Sequence, residues 1–258
     1  MKKTLILTLL VVALIACDRT PRIETEQLTA VETTYLTDQK HDSLFLSFEF
    51  EYPTQLSDKE VLKTIQTDLT KQFFGDAYQN MPIKEAMAEY IKMSIDEYKA
   101  NNIAYIEFNE DEEEFSPVLS EEQIMTGRIM YLSNDVMSYQ LEQYVYMGGV
   151  HGVNSTIYIN YSLADGRQLE EKDLLSESTI AELHDMMLDA MIYQNEVYRS
   201  VDELTNAGYD ISAIQPNGNF YLSDDGITWV FSPYEIAPYA FGETEIFIDN
   251  ETLKKADK

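Results

Sequence analysis

Residues 44–75, LFLSFEFEYPTQLSDKEVLKTIQTDLTKQFFG, decide the fold class of this chain. Apolar side chains first recur at every second position, which predicts a half-buried β-strand that stops at Pro53. Ser57 and Glu60 have the spacing of a capping box, in which each side chain satisfies an orphan backbone amide at a helix start. Apolar residues then follow at helical spacing until Gly75, a typical helix stop. The stretch therefore predicts a strand followed by an amphipathic helix.

Strands and helices follow one another irregularly along the rest of the sequence. Helices are predicted from Pro82 onward and over 179–194, the latter opened by Thr179. Period-two patterns and turn residues predict further strands at 124–131, 136–147, 153–161, 220–222, 227–231 and 245–248. Because there is no regular β–α alternation, we predict an α+β protein with two small α+β domains, mainly antiparallel sheets and flanking helices.

The predicted segments follow from these patterns and from the length of 258 residues, which favours two domains. They are a signal peptide at 1–16, a polar tether at 17–27, an N-terminal α+β domain at 28–145, a C-terminal domain at 146–251 and a tail at 252–258.

The composition is acidic but able to fold. The chain has 46 acidic and 18 basic side chains, a formal charge of −28 at pH 7, and 45% hydrophobic residues. These values exclude collagen-like, low-complexity and fully disordered chains. The charge argues against nucleic acid as a partner, because binding to phosphates needs clustered Lys and Arg. The stretch from Glu107 to Glu122 contains acidic residues and no basic residue, which predicts a solvated loop.

Residues 1–17 resemble a bacterial lipoprotein signal. Lys2 and Lys3 precede an apolar run, and Leu14-Ile15-Ala16-Cys17 places a small residue before the only cysteine. We therefore predict that Cys17 is lipidated and anchors the protein peripherally to a membrane of the cell envelope, on its extracytoplasmic side. The alternatives are a buried free cysteine and a transmembrane helix, for which the apolar run falls short of the roughly 20 residues required.

Three glycines surround one of the three histidines in Tyr146-Met147-Gly148-Gly149-Val150-His151-Gly152. Glycine permits backbone conformations and close approaches that other residues do not. The loop lacks the Lys and Ser/Thr of a phosphate-binding loop, and the chain has no GxSxG or HExxH motif. His151 is interpreted either as structural or as catalytic or metal-binding, and His41 and His184 as surface residues. We expect no cofactor and no metal site, and we assign no catalytic residue.

A second distinctive segment is Ser232-Pro233-Tyr234-Glu235-Ile236-Ala237-Pro238-Tyr239-Ala240. Its two prolines hold an irregular backbone that presents two tyrosines, either as a packed corner or as an aromatic binding rim. The predicted binding residues in the two segments are Gly148, Gly149, His151, Gly152, Tyr234, Glu235 and Tyr239.

The two motifs, in this order, resemble the C-terminal extracellular domain of the anti-sigma factor RsiV. The resemblance extends to Asn160-Tyr161, the Asp165-Gly166 turn and Asn219-Phe220-Tyr221-Leu222. Residues 28–145 resemble the domain that precedes it in RsiV and in the peptidoglycan deacetylase PdaC. The resemblance implies a cell-envelope binding module for a lysozyme-like protein or peptidoglycan. We expect neither sigma-factor control nor deacetylation, because the segments that carry those activities have no counterpart in the sequence.

Three functional hypotheses remain open. The first is a binding module for a basic protein such as lysozyme, or for peptidoglycan, and a charge of −28 would attract a basic protein. The second is an envelope glycan hydrolase or esterase that uses His151 or a carboxylate pair. The third is a structural envelope lipoprotein without a soluble ligand.

Replacing Cys17 with Ser should release the protein from the membrane fraction. Each buried methylene of an acyl chain contributes about 0.8 kcal/mol, so two or three chains anchor the protein firmly and their loss leaves it free. Fractionation of cells expressing each form provides the measurement. Membrane retention of the Cys17→Ser variant would contradict lipidation.

Overall fold

The computed structural model describes residues 23–38, 42–108, 119–194 and 197–256. The signal peptide with Cys17, the first part of the predicted tether, His41 and most of the acidic stretch at 107–122 lie outside the described residues. No helix in the described part of the chain combines the length and the apolar character needed to cross a membrane.

The first sheet has five strands in the order β1-β2-β3-β4-β5, and only β2 and β3 run parallel. Two helices follow β2 along the chain. The elements are β1 (Glu24–Tyr35), β2 (Ser43–Gln55), α1 (Lys59–Phe74), α2 (Ile83–Phe108), β3 (Glu121–Leu132), β4 (Val136–Tyr146) and β5 (Val153–Ser162).

The alternating apolar residues of β2 supply the centre of the first core. Phe48 and Phe50 are buried, and the ring of Phe50 stacks on Phe73 of α1 with 4.0 Å between centroids. Tyr139 of β4 joins them and donates a hydrogen bond to the backbone oxygen of Glu51 at 2.9 Å. The capping box predicted at Ser57 and Glu60 is wrong: Asp58 caps the helix start, and its carboxylate accepts from the Glu60 and Val61 amides. The sheet face that carries these residues is therefore closed by the helices.

The second sheet has three antiparallel strands in the order β6-β7-β8. Its core surrounds Trp229, whose indole N–H donates to Glu171 Oε1 at 3.3 Å, the same oxygen that accepts from the Gly218 amide. The elements are α3 (Glu171–Leu174), α4 (Glu177–Gln194), α5 (Val201–Ala207), β6 (Phe220–Leu222), β7 (Gly226–Phe231), β8 (Thr244–Asp249) and α6 (Asn250–Lys255).

The two-domain α+β prediction is confirmed, but the segments differ in detail. The predicted boundary between residues 145 and 146 falls inside the first sheet, because β5 pairs with β4 along its whole length. Residues 24–27 of the predicted tether belong to β1, an edge strand in which only Leu28 is deeply buried. The predicted tail at 252–258 begins inside α6, which Asp249 caps and Leu253 attaches to the core. Thr179 does not open α4; its amide donates to Ser176 Oγ.

Asn219 joins the two sheets. Its side-chain oxygen accepts from the Tyr158 amide at 2.8 Å, and its side-chain nitrogen donates to the Thr156 oxygen at 3.0 Å, so the amide completes the backbone pairing of edge strand β5. The same nitrogen donates to the Val230 oxygen of β7 at 3.1 Å. One side chain thus ties β5 to β7.

A buried polar pair, Ser138 and Asn160, makes further hydrogen bonds between the two sheets. Ser138 Oγ of β4 donates to Asn160 Oδ1 of β5, and Asn160 Nδ2 donates to the Phe220 oxygen at 2.8 Å. The Leu222 amide in turn donates to Ser138 Oγ at 3.2 Å. Strand β6 is therefore held on the sheet face opposite the helices by directional bonds, which define its position more strictly than apolar contact would.

Replacing Asn219 with Ala should lower the free energy of unfolding by about 2–4 kcal/mol, because the Tyr158 amide and the Thr156 carbonyl lose their partners in a partly buried setting. Urea unfolding followed by Trp229 fluorescence measures the change. Asn154→Ala, at an exposed position of β5, is the control, and its free energy of unfolding should stay within about 0.5 kcal/mol of that of the parent. Equal stability of both variants would contradict the role given to Asn219.

Candidate functional site

The two segments singled out in the sequence meet in the structure. The ring of His151 stacks on Tyr239 with 5.5 Å between centroids, and Tyr239 stacks on Tyr234 with 5.3 Å. All three side chains are exposed, Tyr234 by 71%. We call His151, Tyr239 and Tyr234 the aromatic row. Ring stacking organises a surface that an apolar or aromatic partner group can contact.

The β4–β5 hairpin carries His151 at its tip. Gly148 and Gly149 have positive φ angles of 77° and 102°, which residues other than glycine rarely adopt. The Tyr146 hydroxyl donates to the Gly149 oxygen at 3.0 Å and closes the tip. Gly152 is needed for a different reason, since a Cβ there would collide with the ring of Tyr144. The glycines therefore shape the loop that presents the histidine.

A tight turn after β7 carries the tyrosines. The Glu235 amide donates to the Ser232 oxygen at 3.0 Å, Pro233 occupies the second position, and Tyr234 has a φ of 71° at the third. A type II turn has this arrangement, and its third position normally holds glycine. Tyr234 is the one non-glycine residue with positive φ in the described part of the chain. A side chain kept at this cost points to a role for the ring itself.

Glu235 holds the turn closed. Its Oε2 accepts from the Ser232 amide at 2.8 Å, and its Oε1 accepts from Asn217 Nδ2, also at 2.8 Å. Asn217 Nδ2 in addition donates to the Val230 oxygen at 2.9 Å. The structure therefore places Glu235, which the sequence suggested as a binding residue, in the network that positions Tyr234.

Two polar cavities share Ser155 and Thr156, and the second also includes Ser232 and Glu235 of the turn that carries Tyr234. The first has a volume of about 390 Å³ and includes Glu142, Tyr144 and Glu243. The second has a volume of about 370 Å³; its other lining residues are Ile157, Asn217, Gly218, Asn219, Ser232 and Glu235. No Lys or Arg lines either cavity among the described residues, although Arg128 forms an ion pair with Glu142 at 3.7 Å, so this surface is mainly polar.

The geometry around the histidines is structural. His151 Nδ1 lies 3.1 Å from the Gly152 oxygen, and His184 Nδ1 lies 2.8 Å from the Ile214 oxygen. Within the described ranges, no three His, Cys, Asp or Glu side chains are grouped so that they could hold a metal ion.

Some residues of this surface were not predicted as binding residues from the sequence. Met147, Val150 and Val153 of the hairpin are exposed, Val150 by 99%, and they add apolar area beside His151. Asn217 was also missed, because its role depends on a carboxylate 18 residues away. An apolar run at a glycine-rich hairpin tip is the signal that could have identified the first group.

Two family models match separate parts of the chain. Residues 39–154 match the model described as "Deacetylase PdaC", and residues 168–251 match "Protein of unknown function (DUF3298)". Along the chain, the match to the PdaC model precedes the match to the DUF3298 model. The DUF3298 match contains β6, β7, β8 and the tyrosine turn, whereas the PdaC match reaches into β5 and contains His151. The aromatic row is thus built from both domains. The likeness to RsiV stays a prediction.

Two solved structures share the fold. A DUF3298-family protein from Bacteroides fragilis superposes with a TM-score of 0.84 at 24% identity, covering 91% of this chain and 93% of its own. A DUF3298-family protein from Pseudomonas aeruginosa gives 0.62 at 16% identity, covering 92% and 94%. No curated protein matches the chain. The likeness to these structures covers both domains together.

Tyr234→Gly should be more stable than Tyr234→Ala by about 1 kcal/mol. Both variants lose the ring, but alanine keeps the cost of a left-handed backbone conformation, which glycine does not bear. Urea unfolding of the two variants measures the difference. At a backbone position without strain, an alanine variant is more stable than a glycine variant by about 0.5–1 kcal/mol. A Tyr234→Ala variant more stable than Tyr234→Gly would therefore contradict the strained turn.

Proposed function

We propose that this protein is a binding module of the cell envelope, anchored through lipid on Cys17, and that the aromatic row is its ligand-contact surface. The observation that supports this proposal most directly is the composite construction of the row: His151 comes from one domain, and Tyr234 and Tyr239 come from the other. Exposed, pre-organised aromatic side chains are the groups that dominate protein interfaces.

Binding accounts for these contacts better than hydrolysis does. The contacts of His151 are a tyrosine ring and a backbone oxygen, which orient the imidazole without linking it to a nucleophile among the described residues. The carboxylate of Glu235 is occupied by two donors of its own chain. The turn around Tyr234 is strained and held closed, which lowers the entropy cost of binding.

The partner that fits this surface best is a basic protein, and the candidate is a lysozyme-like protein. A chain of formal charge −28 attracts cationic proteins at long range. Glu243 adds a carboxylate to the first cavity, where the charge of Glu142 is partly offset by Arg128 at 3.7 Å. The apolar contacts at the tyrosines would then supply the component of binding that salt does not screen.

Peptidoglycan glycan is the second candidate ligand, favoured by the paired polar cavities. Hydroxyl, amide and carboxylate side chains around Ser155 and Thr156 match the donors and acceptors of sugar hydroxyls. A negative surface repels anionic polymers, which places this ligand second.

The protein used in this test lacks residues 1–17 and contains both domains; we call it the soluble domain. A basic animal lysozyme should bind it with an association rate that falls as the salt concentration rises above about 0.1 M, where the screening length is about 10 Å. Tyr239→Ala should weaken the salt-resistant affinity at least about tenfold, because it removes the central ring of the row. Surface plasmon resonance over a salt series measures both effects. Tyr193→Ala, at an exposed tyrosine of α4, is the matched control and should bind like the parent.

Other outcomes separate the hypotheses. Cytochrome c, another basic protein, should bind only at low salt. If lysozyme and cytochrome c showed the same salt dependence, and if Tyr239→Ala and Tyr193→Ala bound lysozyme equally well, the lysozyme proposal would be wrong. Binding of muropeptides that depends on Tyr239 would favour the glycan ligand. Turnover of muropeptides or esters that His151→Ala abolishes would replace the binding function with catalysis. Absence of any ligand and of turnover would leave a structural lipoprotein.

A further inference from the structure

A third cavity lies on the helix side of the first sheet, away from the joint between the domains. It has a volume of about 270 Å³ and opens between α2 and the ends of β2, β3 and β4. We call it the α2 cavity. Its lining residues come from four places in the chain: Leu44 and Leu46; Tyr90, Ser94, Glu97, Tyr98 and Asn101; Glu121, Glu122 and Gln123; and Val145, Tyr146 and Met147.

The α2 cavity has an apolar floor and ordered aromatic walls. Leu44 and Leu46 are buried side chains of β2 whose surfaces line the cavity. The hydroxyl of Tyr90 bonds to Gln123 at about 3 Å, and that of Tyr98 donates to the Leu119 oxygen at 2.9 Å. Because their hydroxyls are engaged, the two rings are held in place, and they line the cavity together with the polar side chains of Ser94, Asn101 and Gln123.

Carboxylates also line the cavity, and no Lys or Arg is among its lining residues in the part of the chain that the structure describes. Glu97 is exposed on α2, while Glu121 and Glu122 are half-buried at the start of β3. Burial raises the pKa of Glu121 above its ordinary value, and a hydrogen bond from Asn102 opposes the shift. A cation beside this carboxylate would offset the cost of its desolvation. The cavity thus combines apolar depth with negative charge.

We propose that the α2 cavity binds a primary aliphatic amine. The alkyl chain lies on Leu44 and Leu46 between the tyrosine rings, and the ammonium group lies against Glu121 and Glu97. Charge complementarity selects this class over neutral and anionic molecules of the same shape, and the tyrosine rings add attraction for a cation. The cavity contains none of the three residues of the aromatic row, and the proposal does not rest on the proposed function.

The cavity also contacts the hairpin that carries His151. Tyr146 lines the cavity and donates its hydroxyl to the Gly149 oxygen at 3.0 Å, two residues before His151. Occupation of the cavity should therefore change the NMR signals of Gly149 in addition to those of the leucine methyl groups on the floor.

Titration of the soluble domain with hexylamine and with 1-hexanol, followed by NMR, tests the proposal. Hexylamine should bind saturably with shifts at Leu44, Leu46 and Gly149, at least about tenfold more tightly than hexanol. Glu121→Gln should weaken hexylamine about tenfold and leave hexanol unchanged. Lowering the pH through the raised pKa of Glu121 should weaken hexylamine in the parent, because protonation removes the charge that holds the ammonium group.

Matched controls separate the site from general attraction to an acidic protein. Glu60→Gln, on the exposed side of α1, removes the same charge and should leave hexylamine binding unchanged. Glu97→Gln, at an exposed position that lines the cavity, should weaken hexylamine binding severalfold. This variant replaces Glu121→Gln in the test if Glu121→Gln does not fold. Equal binding of amine and alcohol, equal effects of Glu60→Gln and Glu121→Gln, or shifts confined to other residues would each overturn the proposal.

Discussion

The pairing of the Asn219 side chain with the edge of β5 is the interaction on which the rest of the structure depends. Strand β5 ends the five-stranded sheet, and the amide of Asn219 bonds to its outward Tyr158 amide and Thr156 oxygen. An uncovered edge strand is a template for pairing with other chains. Here a side chain covers part of that edge and at the same time bonds to β7, so the second domain takes its position from the first.

The aromatic row follows from that position. Strand β5 leads back to the hairpin with His151, and β7 leads on to the turn with Tyr234, so the register between the strands decides whether the rings meet. Local restraints complete the arrangement: Glu235 and Asn217 close the turn against the cost of a left-handed tyrosine. Hydrogen bonds with strict geometry thus make a surface that apolar packing alone would leave variable.

The sequence predicted those parts of the fold that depend on neighbours along the chain. Alternating apolar residues identified β2, and Gly226 identified the β6–β7 hairpin. Strand β1 was missed because it exposes both faces, so its side chains show no period of two. The residues of the row were predicted, but not their contact, because the sequence gives no distance between His151 and Tyr239. The structural role of Glu235 was missed for the same reason: its partner Asn217 lies 18 residues away along the chain.

The central claim is that a single ligand surface is assembled from both domains. Hydrogen–deuterium exchange of the soluble domain, with and without a saturating basic lysozyme, tests it directly. We expect that amides of the hairpin at 147–153 and of the turn at 234–241 become protected together, while those of the exposed edge strand β1 do not change. Protection of one segment without the other, or protection that avoids both, would contradict a composite site.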